Sequence, residues 1–142
     1  IVYVGCDDPS DEHFQPLTAM AHELKQLSNV EGQAYTLFAL PWPSAKYSPE
    51  GERLPASYAN YLILNGAILL PIYGDSQDEK AIAVVRAAYP SYQVHAIDCQ
   101  ALIRQYGSLH CVTMQLPKGS LLKSTSTTNQ STLRFASEDS AC

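Results

Sequence analysis

The sequence predicts an α/β domain assembled from a repeated strand-and-helix unit. Three observations carry that prediction. Apolar runs of strand length alternate with segments whose apolar residues recur at three-and-four spacing, the signature of one helical face. A β-β-α-β unit can be read between Tyr58 and Asp98. An acidic signature between a strand and a helix also occurs twice: Asp8-Pro-Ser-Asp11-Glu12 matches Asp75-Ser-Gln-Asp78-Glu79 at a constant offset of 67 residues.

The elements follow in chain order. Ile1 to Gly5 (IVYVG) reads as a buried strand, and the acidic stretch Asp7 to Glu12 offers helix-starting residues with Ser10 as N-cap. From Phe14 the apolar residues Leu17, Ala21, Leu24 and Leu27 share a helical face that ends near Ser28 to Gly32. Ala34 to Leu40 reads as a second strand. Pro41, Pro43 and Pro49, with Ser44, Ser48, Glu50 and Gly51, make a surface excursion, because each proline removes a ladder donor. Tyr58 to Leu64 and Ala67 to Ile72 are strands joined by Asn65-Gly66, the dipeptide suited to a type I′ hairpin turn. A helix starting at Asp75 to Glu79 shows Ile82, Val85, Ala88 and Tyr89 on one face and is closed by Pro90, and Gln93 to Asp98 forms the next strand. A helical turn over Ala101 to Gln105 and a last strand, Leu109 to Gln115, complete the ordered part. From Lys118 the sequence is dominated by Ser and Thr, too poor in apolar residues to offset its ordering entropy, so 118–142 is read as a disordered tail.

Bulk properties narrow the function classes. The chain has 142 residues, 46% hydrophobic, which suffices for one domain core. A net charge of -5 with nine scattered Lys and Arg gives no nucleic-acid footprint. The longest apolar run, Ile63 to Ile72, is interrupted by Asn65-Gly66 and is too short for a bilayer span, so no membrane partner is expected. Cys6, Cys99, Cys111 and Cys142 show neither metal-ligand nor redox spacing, and His13, His22, His95 and His110 are dispersed. Free thiols in the cytoplasm, no metal and no cofactor are the expectations. The chain opens without an initiator Met or a secretory signal, as a cut piece would.

Cys111 is the residue with chemical promise. It lies in Tyr106-Gly-Ser-Leu-His-Cys-Val-Thr-Met-Gln-Leu-Pro117, where a glycine-containing approach delivers a cysteine near the start of an apolar strand. Two readings stand on that pattern alone: a buried core cysteine, or a thiol projecting into a cleft for attack on an electron-poor carbon. The neighbouring His110 is an unsuitable base on this reading, because successive strand side chains point to opposite faces.

A family resemblance adds to this. Ala56-Ser-Tyr-Ala-Asn-Tyr-Leu-Ile-Leu-Asn-Gly-Ala-Ile-Leu-Leu-Pro71, then Tyr73-Gly-Asp75, then Gly107-Ser-Leu-His-Cys-Val-Thr-Met-Gln115 resemble the C-terminal signature of the agmatine deiminase and bacterial peptidylarginine deiminase family, over residues 1–117. The resemblance implies a pentein fold, a ring of five ββαβ modules, of which this chain would hold about two. It implies that Cys111 is the catalytic nucleophile, attacking a guanidinium carbon to form a covalent amidino-thioether. It implies that Asn60 lines the substrate site, with Ser57 and Asp75 as weaker candidates. Without the family, Asn60 reads as an amide serving the Pro-rich loop, and Asp75 as a carboxylate at a helix start. The implied substrate is a small guanidino compound, agmatine, with peptidyl arginine as the alternative; a two-module piece would leave open sheet edges and apolar surface, for which a homo-oligomer is the expected cover.

Two departures matter. The family's Gly-His-x-Asp and Trp-x-Arg-Asp segments, which supply its base and its guanidinium-gripping carboxylates, do not occur in this sequence, so the isolated chain is expected to be catalytically silent. Gln105 and Tyr106 also replace two glycines of the plant-type Gly-Gly-Gly-Asn-Ile-His-Cys. A non-catalytic α/β binding or signalling module is the rival reading, suggested by Asp7-Asp8 directly after the first strand; it demands a later strand-end Asp and a Lys that the sequence does not place.

Overall fold

A computed structural model describes residues 1–117 and Ser120. The expected tail at 118–142 lies otherwise outside the described residues. Strand β1 (Val2–Val4) leads through helix α1 (Phe14–Leu24) to β2 (Phe38–Leu40), and the two strands pair in parallel with Val2 opposite Phe38. The second unit is β3 (Leu62–Ile63), β4 (Ala67–Ile72), α2 (Asp78–Ala88) and β5 (Gln93–Asp98), with sheet order β3-β4-β5. β3 and β4 are antiparallel, while β4 and β5 are parallel, Ile68 facing Val94 and Ile72 facing Asp98. Each half therefore contains a parallel strand-helix-strand crossover, as the repeated acidic signature implies. Helix α3 (Gln100–Ile103) follows, and a 3₁₀ turn, His110–Val112, comes last.

One apolar core joins the halves. Leu40 of β2, Ile68 and Leu70 of β4, Ala81, Ile82 and Val85 of α2, and Ile103 of α3 pack into a single cluster with Leu54, Tyr58, Tyr73, Cys99 and Leu109. Helix α1 contributes no fully buried residue; it covers one side only, and Leu27, beyond its end, is exposed. Pro71 sits within β4 at no cost to the ladder. Its missing N–H points to the β3 side, and β3 reaches only as far as Leu69.

Several sequence expectations are corrected. The last strand, expected over Leu109 to Gln115, is a 3₁₀ turn followed by extended chain, because Val112, Met114 and Leu116 find no strand to pair with among the described residues. The Pro-rich segment keeps Ser44, Tyr47, Pro49, Glu50 and Gly51 at the surface as expected, but Pro41 and Pro43 are buried, and an isolated antiparallel bridge joins Tyr47 to Arg53. Ser10 does not cap α1. Its backbone and hydroxyl both donate to the Asp8 carboxylate, and His13 takes the N-cap position without a capping side-chain bond. The Asn65-Gly66 hairpin forms, with the Leu64 N–H donating to the Ala67 carbonyl, but positive φ occurs at Gly66 alone (84°), so the turn is not type I′. Strands two and three are shorter than the apolar runs that announce them, and α2 begins at Asp78, within the expected Asp75 to Glu79 start.

Candidate active site

Cys111 and Asn60, 51 residues apart in sequence, are in contact. Asn60 stands just before β3, in the turn that follows Ser57, and its Nδ2 donates to the Cys111 Sγ at 3.1 Å. The same side chain turns its Oδ1 to the His110 backbone N–H at 2.7 Å, and the Asn60 carbonyl accepts from that N–H at 3.2 Å. The amide therefore holds the 3₁₀ turn by its backbone and the thiol by its sulfur. This is the physical content of the Asn60 position; it does not serve the Pro-rich loop.

Cys111 is exposed, and its pKa is lowered, first by hydrogen bonding from the backbone at Ser108 and then by the Asn60 amide. Both favour the charged sulfur. Gly107 makes room for this arrangement: a Cβ there would lie 3.3 Å from the Cys111 Cβ and 3.9 Å from its sulfur. Tyr106 carries φ of 57°, a left-handed conformation that glycine adopts freely, which explains why glycines suit the approach segment and shows that a tyrosine is accommodated there. Its hydroxyl bonds to Glu52, tying the approach to the Pro-rich segment.

His110 lies in a 3₁₀ turn rather than a strand, so strand alternation does not set its direction. It lines a recess with Ala59, Asn60, Tyr61, Ile63 and Gln115, which shares Asn60 with the main pocket. Cys6 and Cys99 are buried free thiols, and burial pushes the Cys99 thiol up. Cys142 lies outside the described residues.

Ser57 places its hydroxyl within reach of the Ala59 N–H at 3.3 Å and borders a pocket of about 530 Å³. That pocket is walled by Trp42, Pro43, Leu54, Pro55, Asn60 and Tyr106 among others, and Cys111 adjoins it through Asn60 rather than lining it. Asp75 belongs to neither group. Its carboxylate accepts from the Gln77 N–H near the start of α2 and from Lys46 and Ser44 of the Pro-rich segment; burial alone would raise its pKa, but these bonds outweigh it and hold the carboxyl below its usual range. His13 stacks on Trp42 at 5.0 Å, and neither it nor His22 approaches the thiol through a hydrogen bond. Among the described residues no cluster of three or more His, Cys, Asp or Glu is placed to hold a metal ion, and no helix is long and apolar enough to cross a membrane.

Sequence reading missed Tyr73 and Ser108. Tyr73 is 1% exposed, and its hydroxyl donates to the Ser57 carbonyl at 2.8 Å while accepting from the Ser57 N–H at 3.1 Å. The Ser108 hydroxyl, also 1% exposed, meets it at 2.8 Å. Both residues lie inside the motifs that carry the resemblance, but an apolar-looking tyrosine after a strand gives no sequence sign of which hydroxyl it meets.

A Porphyromonas gingivalis protein, provisionally named an arginine deiminase, has a crystal structure that overlays with a TM-score of 0.78 at 52% identity, covering 83% of this chain and 34% of that one. An agmatine deiminase from C. jejuni, solved with substrate bound, overlays at 0.68 and 37% identity, covering 77% of this chain and 31% of its own. The agmatine deiminase of Pseudomonas fluorescens is 29% identical over 134 residues, which are 82% of this chain. The chain spans 36–37% of the length of such curated relatives. The family model of the Porphyromonas-type peptidyl-arginine deiminases matches residues 1–117, so the chain belongs to that family.

Proposed function

We propose that this chain supplies the nucleophile of a guanidine deiminase, with Cys111 as the attacking thiol and Asn60 as the amide that orients it. The single observation behind this reading is the Asn60 to Cys111 contact, which joins an exposed, acidified sulfur to a side chain that the family resemblance also places at the site. The thiolate would attack the guanidinium carbon, and collapse of the tetrahedral adduct, with a proton delivered to the departing nitrogen by a general acid that other modules would supply, would break a carbon–nitrogen bond and release ammonia. Water then attacks the amidino-thioether carbon, its oxygen becoming the ureido oxygen, while the sulfur leaves with its electron pair. Ser57, on the pocket wall beside Asn60, is the further substrate contact. Agmatine, giving N-carbamoylputrescine, is the substrate that the names of the relatives favour. Peptidyl arginine is the second reading, favoured by the family whose model matches and by 41% identity to a crystal structure provisionally named a peptidyl-arginine deiminase.

The scaffold on this reading is a pentein ring of which residues 1–117 form about two ββαβ modules. No imidazole or carboxylate hydrogen-bonds the Cys111 sulfur among the described residues, so the base and the guanidinium grip would come from other modules, and this chain alone would not turn over. The test is ureido product formation from agmatine by the intact protein. Cys111→Ala should abolish it with the melting transition unchanged; sustained turnover in that variant would remove Cys111 from the chemistry.

A further inference from the structure

The reading of Cys111 as nucleophile leaves open what holds its loop against the turn that carries Asn60. Neither segment is a regular strand or a helix longer than one turn: Asn60 precedes β3, and Cys111 sits in a single 3₁₀ turn. Loop pieces of this kind need a buried anchor to hold a donor and a sulfur 3.1 Å apart.

We propose that Tyr73 is the positioning residue of this site, its buried hydroxyl clamping the Ser57–Asn60 turn to the Gly107–Cys111 loop. The inference rests on the nucleophile reading for its functional meaning, but its geometry stands alone. Tyr73 directly follows β4, the central strand of its sheet, and its ring packs against Tyr58 with centroids 5.6 Å apart. A phenol has one proton and two acceptor sites. Tyr73 spends its proton on the Ser57 carbonyl, so the Ser108 hydroxyl donates to the phenol oxygen, and the Ser57 N–H fills the remaining site. The hydroxyl is thereby saturated, and every bond goes to one of the two segments.

From that oxygen two routes lead to the same sulfur. One passes through the Ser57 carbonyl to the Asn60 N–H at 3.1 Å, and on through the Asn60 amide to Cys111. The other passes through the Ser108 side chain to the Ser108 backbone, the first of the groups that acidify the thiol. Burial pushes the Tyr73 phenol up, so it keeps its proton, and with it the bond to Ser57, across the neutral range. Removal of the oxygen would leave the ring and its packing in place and release both routes at once.

The experiment is the pH dependence of iodoacetamide alkylation at Cys111, followed by mass spectrometry of the Cys111 peptide, so that Cys6, Cys99 and Cys142 do not enter the readout. Tyr73→Phe is compared with the parent chain, and the thermal melt of each is recorded. The expected result is a folded variant whose alkylation midpoint rises by about half a pH unit, with about a threefold lower rate at pH 7. A folded Tyr73→Phe whose profile superimposes on the parent's would overturn the proposal, since a purely structural tyrosine would change the melt and leave the titration alone. If Tyr73→Phe has no melting transition, Ser108→Ala, which removes one arm of the clamp, is read by the same two outcomes. The readout is independent of turnover: loss of the deiminase reading would show in the Cys111→Ala assay and would leave the alkylation result standing.

Discussion

Cys99 and Cys111 carry the same thiol in opposite surroundings. Cys99 is fully buried and pushed toward its protonated form; Cys111 is exposed and drawn toward its charged form by an amide and a backbone N–H. Nucleophilicity at neutral pH follows the thiolate fraction and access, so reagents should select Cys111 first. Asn60→Ala removes the amide donor from the sulfur and the anchor from the His110 N–H together. Its Cys111 alkylation midpoint should move up toward the ordinary thiol value of about 8.5, with a rate at pH 7 reduced about two- to tenfold. An unchanged midpoint would assign the acidification to the Ser108 backbone alone. At this scale the sequence was legible only in part. The motif around Cys111 picks out the sulfur, and the family resemblance picks out Asn60. Tyr73 and Ser108 stay hidden because a hydrogen-bond partner 16 or 35 residues away leaves no periodic trace.

Among the elements, β4, α2 and β5 emerge from their patterns with small errors at the ends, because each packs a continuous apolar face into the core. The segment Leu109 to Gln115 alternates like a strand yet forms none, since strand formation needs a neighbour that alternation cannot supply. The Pro-rich segment is a surface loop in its middle, as its prolines indicate, yet it is tied down at both ends. Its prolines forbid a ladder, but ion pairs fasten it: Lys46 to Asp75 at 2.9 Å, and Arg53 to Asp11 at 2.6 Å and to Glu12 at 3.0 Å. The Arg53 guanidinium holds the Asp11 carboxyl well below the usual carboxylate range. A depressed carboxylate contributes stability that is complete above its unfolded pKa, about 3.9, and is lost as the pH falls through the folded value. Asp11→Asn should therefore lower Tm at pH 7 by about 4 °C, corresponding to about 1 kcal/mol, and the deficit should shrink as the melt is repeated below about pH 4. A deficit that persisted unchanged into strong acid would mean that Asp11 acts through its turn to His13 rather than through its charge.

For the whole molecule, the exposed apolar residues from Val112 onward bear on association. Val112, which ends the 3₁₀ turn, and Met114 and Leu116 beyond it are 61%, 85% and 54% exposed, apolar side chains at every second position, while the Gln115 Nε2 donates to the Ile63 carbonyl. Exposed apolar strand-like segments invite pairing with another chain. Sedimentation velocity of this chain should show concentration-dependent association, and Met114→Lys should reduce it; equal association in both would place the contact elsewhere. The halves of the molecule differ in what they hold. Among the described residues, every group that hydrogen-bonds or acidifies the Cys111 sulfur comes from the contiguous stretch between Ser57 and Cys111, which contains the whole of the β3-β4-α2-β5 unit and none of the first crossover. A gene rearrangement that broke the chain anywhere before Pro55 would carry the sulfur, its amide and the tyrosine clamp away together. On the proposed function, the nucleophile and its tuning are thus inherited on one stretch of chain, while the apolar core beneath them still draws Leu40 and Leu54 from the part before it.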